Sequence, residues 1–154
     1  MVGTEICMPI KVNASMPLQW LLEDSCEEES VKDATSQTFI KNCLQALRYA
    51  QQKQWPLGRT DIPVVADTGG SKVHVVRGVI PTITATRGES RDFVVLNQGC
   101  RRVTLTELAR CQGFADGTFN FSAILSARQW GKALGNAVTM PVAQAVVEAV
   151  LKSP

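Results

Sequence analysis

The chain has 154 residues, of which 45% are hydrophobic, and a formal net charge of +2. This length and apolar content suffice for the buried core of one domain or two small lobes, which excludes a disordered chain. No apolar run approaches the roughly 20 residues of a membrane span, and the first residues lack the basic and then apolar pattern of a secretion signal. We therefore expect a cytoplasmic protein, or a nuclear one in a eukaryotic host, with no membrane partner.

The first half of the chain contains one helical pattern. Residues 5–12 alternate weakly and predict a strand, and residues 17–22 predict a helical turn. Residues 31–54 predict a longer helix, because apolar side chains recur there at helical spacing until Trp55 and Pro56 end the pattern. An acidic cluster precedes this helix and predicts a solvated helix start or loop, or, less favourably, a contact for a basic partner: Glu23, Asp24, Glu27, Glu28 and Glu29.

The middle of the chain is rich in strand patterns. Residues 62–66 and 72–76 are β-branched runs, and the glycine-containing stretch 67–71 between them predicts a hairpin with a flexible loop. Residues 79–86 and 93–96 predict further strands around 87–90. Together with the helices, these strands predict a mixed α+β fold.

The cysteines and the single histidine do not form a recognisable chemical site. His74 lies in an alternating apolar stretch, so we interpret it as a strand residue. The cysteines are odd in number and include no C-x-x-C pair, which argues against a disulfide framework and against a metal site. We interpret them as reduced, mostly buried thiols: Cys7, Cys26, Cys43, Cys100 and Cys111.

The charge is divided unevenly along the chain. Residues 1–70 hold six basic and nine acidic side chains, whereas residues 71–154 hold ten and five. A basic surface attracts phosphates and positions DNA without specifying sequence. The alternative is a solvated face with scattered cations. The basic residues concentrate among glycines and short strands: Lys72, Arg77, Arg87, Arg91, Arg101 and Arg102.

A short helix with both ends specified is predicted after residue 103. Thr104 and Glu107 have the spacing of a capping box, in which each side chain accepts a hydrogen bond from the other residue's amide. Gly113 is a natural left-handed terminator about two turns later. Glu107 and Arg110 are three residues apart and near enough to pair. On spacing alone, this is a well-capped surface helix.

Three segments resemble a known family in their order along the chain. Residues 101–116 read RRVTLTELARCQGFAD, and residues 135–138 read GNAV, with Ser126, Gln129 and Lys132 at the expected offsets before them. Residues 81–88 read PTITATRG. Over about residues 78–152, the chain resembles the target-recognition region and the last two motifs of the DNA cytosine-5 methyltransferases. It departs from their pattern at Ala115, Ala133 and Thr139-Met140.

The resemblance implies chemistry whose principal groups are missing from this sequence. Such enzymes flip a cytosine, attack it with a cysteine thiolate and transfer a methyl group from S-adenosylmethionine. The chain has no Pro-Cys dipeptide and no Gly-rich cofactor loop near its start, so we assign no catalytic residue. The remaining roles follow from the resemblance. It implies that Gly135, Asn136, Ala137 and Val138 bind the cofactor and that Thr104, Glu107 and Arg110 brace the recognition region. Together with the basic residues, it predicts DNA contact by Thr82, Thr84, Arg87, Arg91, Arg101 and Arg102.

We therefore expect a natural small subunit, or a separated C-terminal portion, of a split cytosine-5 DNA methyltransferase. Residues 1–100 would be the recognition-like region, and 101–154 would complete a Rossmann-like methyltransferase domain. The expected partners are double-stranded DNA, which places the protein at the nucleoid, and a chain carrying the nucleophilic cysteine. The alternative is a degenerate or stand-alone DNA-binding module. A third hypothesis, a metabolic enzyme that binds phosphate through the loop 67–70, is less favoured. The glycine pair there lacks the extended Gly pattern and the Lys-Ser/Thr of known phosphate-binding loops.

The helix opened by Pro141 has an apolar face that calls for burial: Val142, Ala145, Val146, Ala149 and Val150. In the resembled enzymes this helix packs beside the catalytic sheet. We expect the isolated chain to transfer no methyl group, to bind S-adenosylmethionine negligibly, and either to self-associate or to keep this segment mobile. We also expect the apolar residues Phe119, Phe121, Ile124 and Leu125 to share this exposed surface.

Overall fold

The structure is a computed structural model that describes residue 22 and residues 36–58, 63–69, 73–121 and 124–152. The predicted strand at 5–12, the acidic cluster at 23–29, and Cys7 and Cys26 lie outside the described residues. The same holds for Gly70 to Lys72 in the predicted hairpin loop. Of the predicted helical turn at 17–22, only Leu22 is described, and its side chain is buried in the core.

Five helices and four strands lie within the described ranges. In chain order they are α1 Gln37–Gln52, β1 Val64–Asp67, β2 His74–Arg77, α2 Ala85–Ser90, β3 Phe93–Val95, β4 Arg101–Arg102, α3 Leu105–Cys111, α4 Ala127–Asn136 and α5 Met140–Lys152. The mixture of helices with a small sheet confirms the α+β class.

Helix α1 occupies most of the predicted segment 31–54. It begins after Ser36, whose hydroxyl accepts a hydrogen bond from the Phe39 amide at 3.4 Å. A serine at this position satisfies one of the amides that the first turn leaves without a partner. The buried side of the helix carries Phe39, Cys43 and Ala46, which is the helical spacing seen in the sequence.

The strands form one antiparallel sheet in the order β2-β1-β3-β4. Val65 lies opposite Val76 on one side and opposite Val95 on the other, so β1 is an interior strand. This pairing confirms the predicted hairpin of β1 and β2. The last pair, β3 with β4, joins Val94 to Arg102. The expected boundary between residues 100 and 101 thus falls in the connection between two paired strands.

Both faces of the sheet are covered, which explains why β1 is buried at every residue. On one face, alternate residues such as Val64 and Val94 pack with Phe39 and Ala46 of α1. On the other face, the alternate strand residues pack with the later helices in a second cluster: Val65, Phe93, Val95, Val103, Leu108 and Leu134. The period of two along each strand separates these clusters, so the arrangement has three layers.

The prediction of a strand over residues 79–86 is wrong. Residues 81–84 have no regular structure, and α2 begins at Ala85. Thr84 is extended, and its hydroxyl accepts from the Arg87 amide at 3.4 Å, which is the geometry of a helix cap. Most of the β-branched residues that suggested a strand therefore precede a helix, and Thr84, inside the predicted strand, is the cap of that helix.

Residues 127–152 have the length and apolar content of a membrane-crossing helix. The structure divides this segment into α4 and α5 at Ala137–Thr139. Arg128 and Lys132 of α4 are also ion-paired with Glu89 of α2. The helix of α5 begins at Met140, one residue before the predicted opening at Pro141.

Candidate functional site

The capping box that the sequence predicts before α3 is present. The Thr104 hydroxyl accepts from the Glu107 amide at 3.0 Å, and the Glu107 carboxylate accepts from the Thr104 amide at 2.7 Å. Gly113 has a φ of 83° and ends the helix as expected. A methyl group at Gly113 would lie 2.7 Å from Cδ of Pro141, so the end of α3 also touches the start of α5.

Glu107 pairs with Arg101 in the interior. Its two carboxylate oxygens accept from the Arg101 guanidinium at 2.7 and 2.9 Å, and the two side chains are 0% and 6% exposed. The Arg110 guanidinium instead donates to Asp116 at 2.6 and 2.9 Å and lowers the pKa of that carboxyl. Glu107 and Arg110 thus each pair with a residue six positions away, a spacing that the sequence analysis did not predict.

The structure places Arg101 inside the protein, which corrects its expected position at a DNA-facing surface. A buried guanidinium bound by a fully buried carboxylate cannot reach a phosphate without leaving its partner charge unpaired. Arg101 therefore belongs with Thr104 and Glu107, the residues that brace the turn from β4 into α3. Local spacing cannot reveal this exchange, because an arginine looks the same in sequence whether it pairs inside or outside.

Two other arginines, Arg91 and Arg102, meet at the C-terminal end of α2. Arg91 caps the helix in a left-handed conformation, with φ 53°, and its amide bonds to the Arg87 carbonyl. Arg102 donates to the Arg91 carbonyl at 2.8 Å and to the Ser90 carbonyl at 3.2 Å, and its guanidinium stacks over the Phe39 ring. Cations are favourable at this end of a helix, where backbone carbonyls point outward.

Arg87 is held by acidic residues from the neighbouring strands. Its Nε lies 3.2 Å from an Asp67 carboxylate oxygen, and its Nη1 lies 3.8 Å from one of Asp92. Asp67 ends β1 and Asp92 precedes β3, so the pair fixes α2 against the sheet. The Arg87 side chain is still 26% exposed, whereas Thr82 and Thr84 are exposed residues ahead of the helix.

The GNAV segment lies at the end of α4. Ser126 and Gln129 form a second capping box at the start of this helix. The helix ends at Asn136, and Ala137 is extended. Asn136 and Val138 are exposed, while Gly135 and Ala137 are half-buried, so alternate residues of the segment face outward.

Gln112 is a residue of this site that sequence reasoning missed. Its buried side-chain amide donates to the Leu134 carbonyl at 3.0 Å, and its backbone carbonyl accepts from the Met140 amide at 2.8 Å. One residue after α3 therefore holds the segments on both sides of the GNAV turn. The only sequence feature that could have indicated this role is the Gln112-Gly113 pair within the motif. The same pair is equally typical of an ordinary helix end.

Glycines bring α4 and α2 into backbone contact. A methyl group on Gly88 would lie 2.8 Å from the carbonyl carbon of Gly131, and one on Gly135 would lie 2.7 Å from the Cα of Ala85. Real side chains do not tolerate such distances, so both helices need glycine here. The contact joins the segment 81–88 directly to the segment 135–138.

The aromatic residues ahead of α4 pack within the chain, contrary to the expectation that they share an exposed surface with α5. The ring centroid of Phe119 lies 4.9 Å from that of Phe114 and 5.4 Å from that of Trp130. The ring centroid of Phe121 lies 5.2 Å from that of Trp130. Edge-to-face arrangements at such distances are favourable. Ile124 differs, because it is 87% exposed.

The described cysteines are poor nucleophiles. Burial raises the pKa of the Cys43 thiol to about 11, and the Cys100 and Arg102 side chains make smaller opposing changes. Burial likewise raises the pKa of Cys111 to about 12, and burial raises that of Cys100. A thiolate is the reactive form, so these thiols are almost wholly protonated near neutral pH. All three are free rather than disulfide-bonded, as predicted.

Comparison with known proteins gives one family. The family model of C-5 cytosine-specific DNA methylases matches residues 11–152, nearly the whole chain. This match extends the resemblance, which rested on residues 78–152, into the first half of the sequence. Neither the curated proteins nor the solved structures contain a match.

Proposed function

The chain belongs to the C-5 cytosine-specific DNA methylase family, and we propose that it supplies the DNA-recognition and cofactor-closing part of such an enzyme. The family acts on DNA and transfers a methyl group to cytosine. In this proposal, a catalytic part on another polypeptide carries the nucleophilic cysteine and the cofactor loop. The isolated chain is then inactive and incomplete.

The observation that carries the proposal is the bare apolar side of α5. No residue of this helix is buried, and its exposed side chains are 40% exposed at Val142, 47% at Val146 and 68% at Val150. Contiguous apolar patches of more than a few hundred Å² are seldom left open on a monomer. The adjoining residues Val147 and Leu151, 55% and 79% exposed, widen the surface. An apolar face of the catalytic part is the occupant that fits it.

The cofactor segment, residues 135–138, likewise provides only one side of a binding site. S-adenosylmethionine fits Asn136 and Val138, since an exposed amide can hydrogen-bond its amino-acid end and an exposed apolar side chain can contact its body. When bound, that cofactor supplies the methyl group. A ligand pocket encloses most of its ligand, which one turn cannot do. The shallow groove of about 430 Å³ along Ile40, Leu44 and Arg48 includes no residue of the segment.

The DNA-facing part is built from the end of α2 and the residues before it. Arg91 and Arg102 lie at the end of α2, Arg87 lies within it and stays partly exposed beside Asp67, and Thr82 and Thr84 add exposed hydroxyls ahead of it. Such groups suit phosphate contact, which positions a protein on a duplex, whereas arginine also reads guanine edges. Arg101 is not in this set, because its side chain is buried against Glu107 and is only 6% exposed.

The state of the three described thiols supports a catalytic cysteine at another position. Cysteine attack on the ring needs a thiolate, and the raised pKa values of Cys43, Cys100 and Cys111 oppose its formation. This chain's residues would instead position the flipped cytosine strand and close the cofactor against water.

Methyl transfer with labelled S-adenosylmethionine tests the proposal. The purified chain alone is mixed with unmethylated duplex DNA, and then with a catalytic portion of a cytosine-5 methyltransferase that ends before its recognition region. We expect label in the DNA only when both polypeptides are present. Label transferred by this chain alone would overturn the proposal, as would micromolar cofactor binding by the chain alone in a calorimetric titration.

A further inference from the structure

Helices α2 and α4 meet through glycines on both sides. Gly88 of α2 faces Gly131 of α4, and a methyl group on either would fall within 2.8 Å of the other's carbonyl carbon. One turn along, Gly135 faces Thr84 and Ala85. The pairs run in opposite order, so the two helices are antiparallel, with their backbones separated by hydrogen atoms alone.

The surroundings prevent this contact from opening easily. On the outer side, Glu89 accepts from Arg128 at 2.9 Å and lies 3.6 Å from Lys132 Nζ, although such exposed pairs contribute little. On the inner side, Arg87 binds Asp67 at the end of β1. Gln112 holds α4 through the Leu134 carbonyl. Each helix is thus attached to the core as well as to the other.

The two helices of this contact carry the two functional segments, which meet where Gly135 faces Thr84. Thr84 and Arg87, at the start of α2, belong to the proposed DNA-facing part. Gly135 precedes Asn136, the first exposed residue of the cofactor segment. Side chains between two helices can adjust their rotamers and absorb a small displacement, whereas a backbone contact leaves no such slack.

We propose that the α2–α4 glycine contact couples DNA binding at Thr84 and Arg87 to the conformation of Asn136 and Val138. Gly88, Gly131 and Gly135 are then positioning residues that act through the cofactor segment without touching the ligand. The proposal rests on the proposed function, because it needs DNA at the α2 end. Coupling of this kind is reciprocal, so cofactor bound at the second segment strengthens DNA binding at the first.

Amide chemical shifts of the full chain test the coupling. The isotope-labelled protein is titrated with a short mixed-sequence DNA duplex. We expect Thr84 and Arg87 to shift, and Asn136 and Val138 to shift with the same titration curve. In Gly131→Ala the first pair still shifts, while the shift of the second pair falls by about fivefold. Gly58→Ala is the matched control, since no atom lies within 4 Å of a methyl group there.

The outcomes separate the two proposals. Shifts at Thr84 and Arg87 without shifts at Asn136 and Val138, or full propagation in folded Gly131→Ala, would overturn the coupling and leave DNA binding intact. If no amide shifts at the highest duplex concentration, this result would instead overturn DNA binding by the chain.

Hydrogen exchange of the unaltered chain provides a measurement that does not depend on the folding of a variant. Added duplex is expected to slow exchange in the peptides spanning α2 and α4 by similar factors. Slowing confined to α2 would contradict the coupling.

Discussion

Helices α3 and α5 form an instructive contrast. The shorter one, Leu105–Cys111, has a capping box, a glycine end and three buried residues, whereas the longer one, Met140–Lys152, has no buried residue. Isolated helices of fewer than about 12–15 residues are marginal in water, so neither owes its stability to length. The shorter helix is stabilised by its contacts with the core.

The difference shows which part of the molecule is complete. The sheet and α3 bury their apolar side chains within the chain. Their buried charges, Arg101 and Glu107, are hydrogen-bonded to each other. The apolar side of α5 has no such partner among the described residues. Four predictions for the isolated chain sharpen this comparison, ordered by their largest expected effect on the free energy of unfolding.

Glu107→Ala has the largest expected effect. It leaves the buried Arg101 guanidinium without its carboxylate and removes half of the capping box. Breaking a buried ion pair in this way costs about 3–5 kcal/mol. Urea unfolding followed by circular dichroism measures the change.

The control for Glu107→Ala is the double variant Arg101→Met with Glu107→Leu. Replacing both charges with apolar side chains of similar volume removes the unpaired charge, and we expect it to recover most of the loss. A double variant as unstable as Glu107→Ala would mean that the pair itself, rather than the orphaned charge, is what matters.

Leucines of α4 and α5 give the next comparison. Leu134 is 2% exposed and Leu151 is 79% exposed. Leu134→Ala should lower the free energy of unfolding by about 2–5 kcal/mol, because it leaves a cavity between α4 and the sheet. Leu151→Ala should change it by less than about 0.5 kcal/mol. Equal losses in thermal unfolding would show that α5 is buried in solution, against the proposed docking surface.

The ends of α3 and α1 differ in a way that substitution can reverse. Gly113 has a φ of 83°, and Gln54, just beyond α1, has a φ of 56°. Gly113→Ala should cost about 1–2 kcal/mol, since it adds left-handed strain and a clash with Pro141. Gln54→Gly should raise the free energy of unfolding by up to about 1 kcal/mol, because glycine relieves the same strain at an exposed residue. A stabilising Gly113→Ala would contradict this account.

Val146→Asp has the smallest expected effect on the chain alone, within about 0.5 kcal/mol, because the side chain is already 47% exposed. Its effect on assembly is large, because a carboxylate on the docking side of α5 would be buried without a partner. Sedimentation should show reduced self-association, and complementation with the catalytic portion should be lost. Glu148→Gln, on the same helix, serves as the control. Unchanged assembly in Val146→Asp would exclude this side of α5 from the interface.

Local chemistry made several features predictable. The capping box at Thr104, the end at Gly113, the hairpin of β1 and β2 and the helical period of α1 each depend on residues close in sequence. The strand predicted over 79–86 failed for a local reason as well, since β-branched residues favour both strands and the extended segment before a helix cap.

The candidate site was predictable only in part. Its segments were identified by motif, and the structure brings 81–88 and 135–138 together through Gly88, Gly131 and Gly135. Neither the role of Gln112 nor the interior position of Arg101 could be derived from the motif. Both depend on partners that reach the residue through folding.

The sequence by itself determined the family, the α+β class and the capped helix, because these follow from the order and spacing of residues along the chain. The tertiary structure alone decided which charges turn inward, where two backbones touch and which apolar face stays bare. Those outcomes depend on long-range packing, in which a buried charge must find its partner and a close contact excludes every side chain but hydrogen.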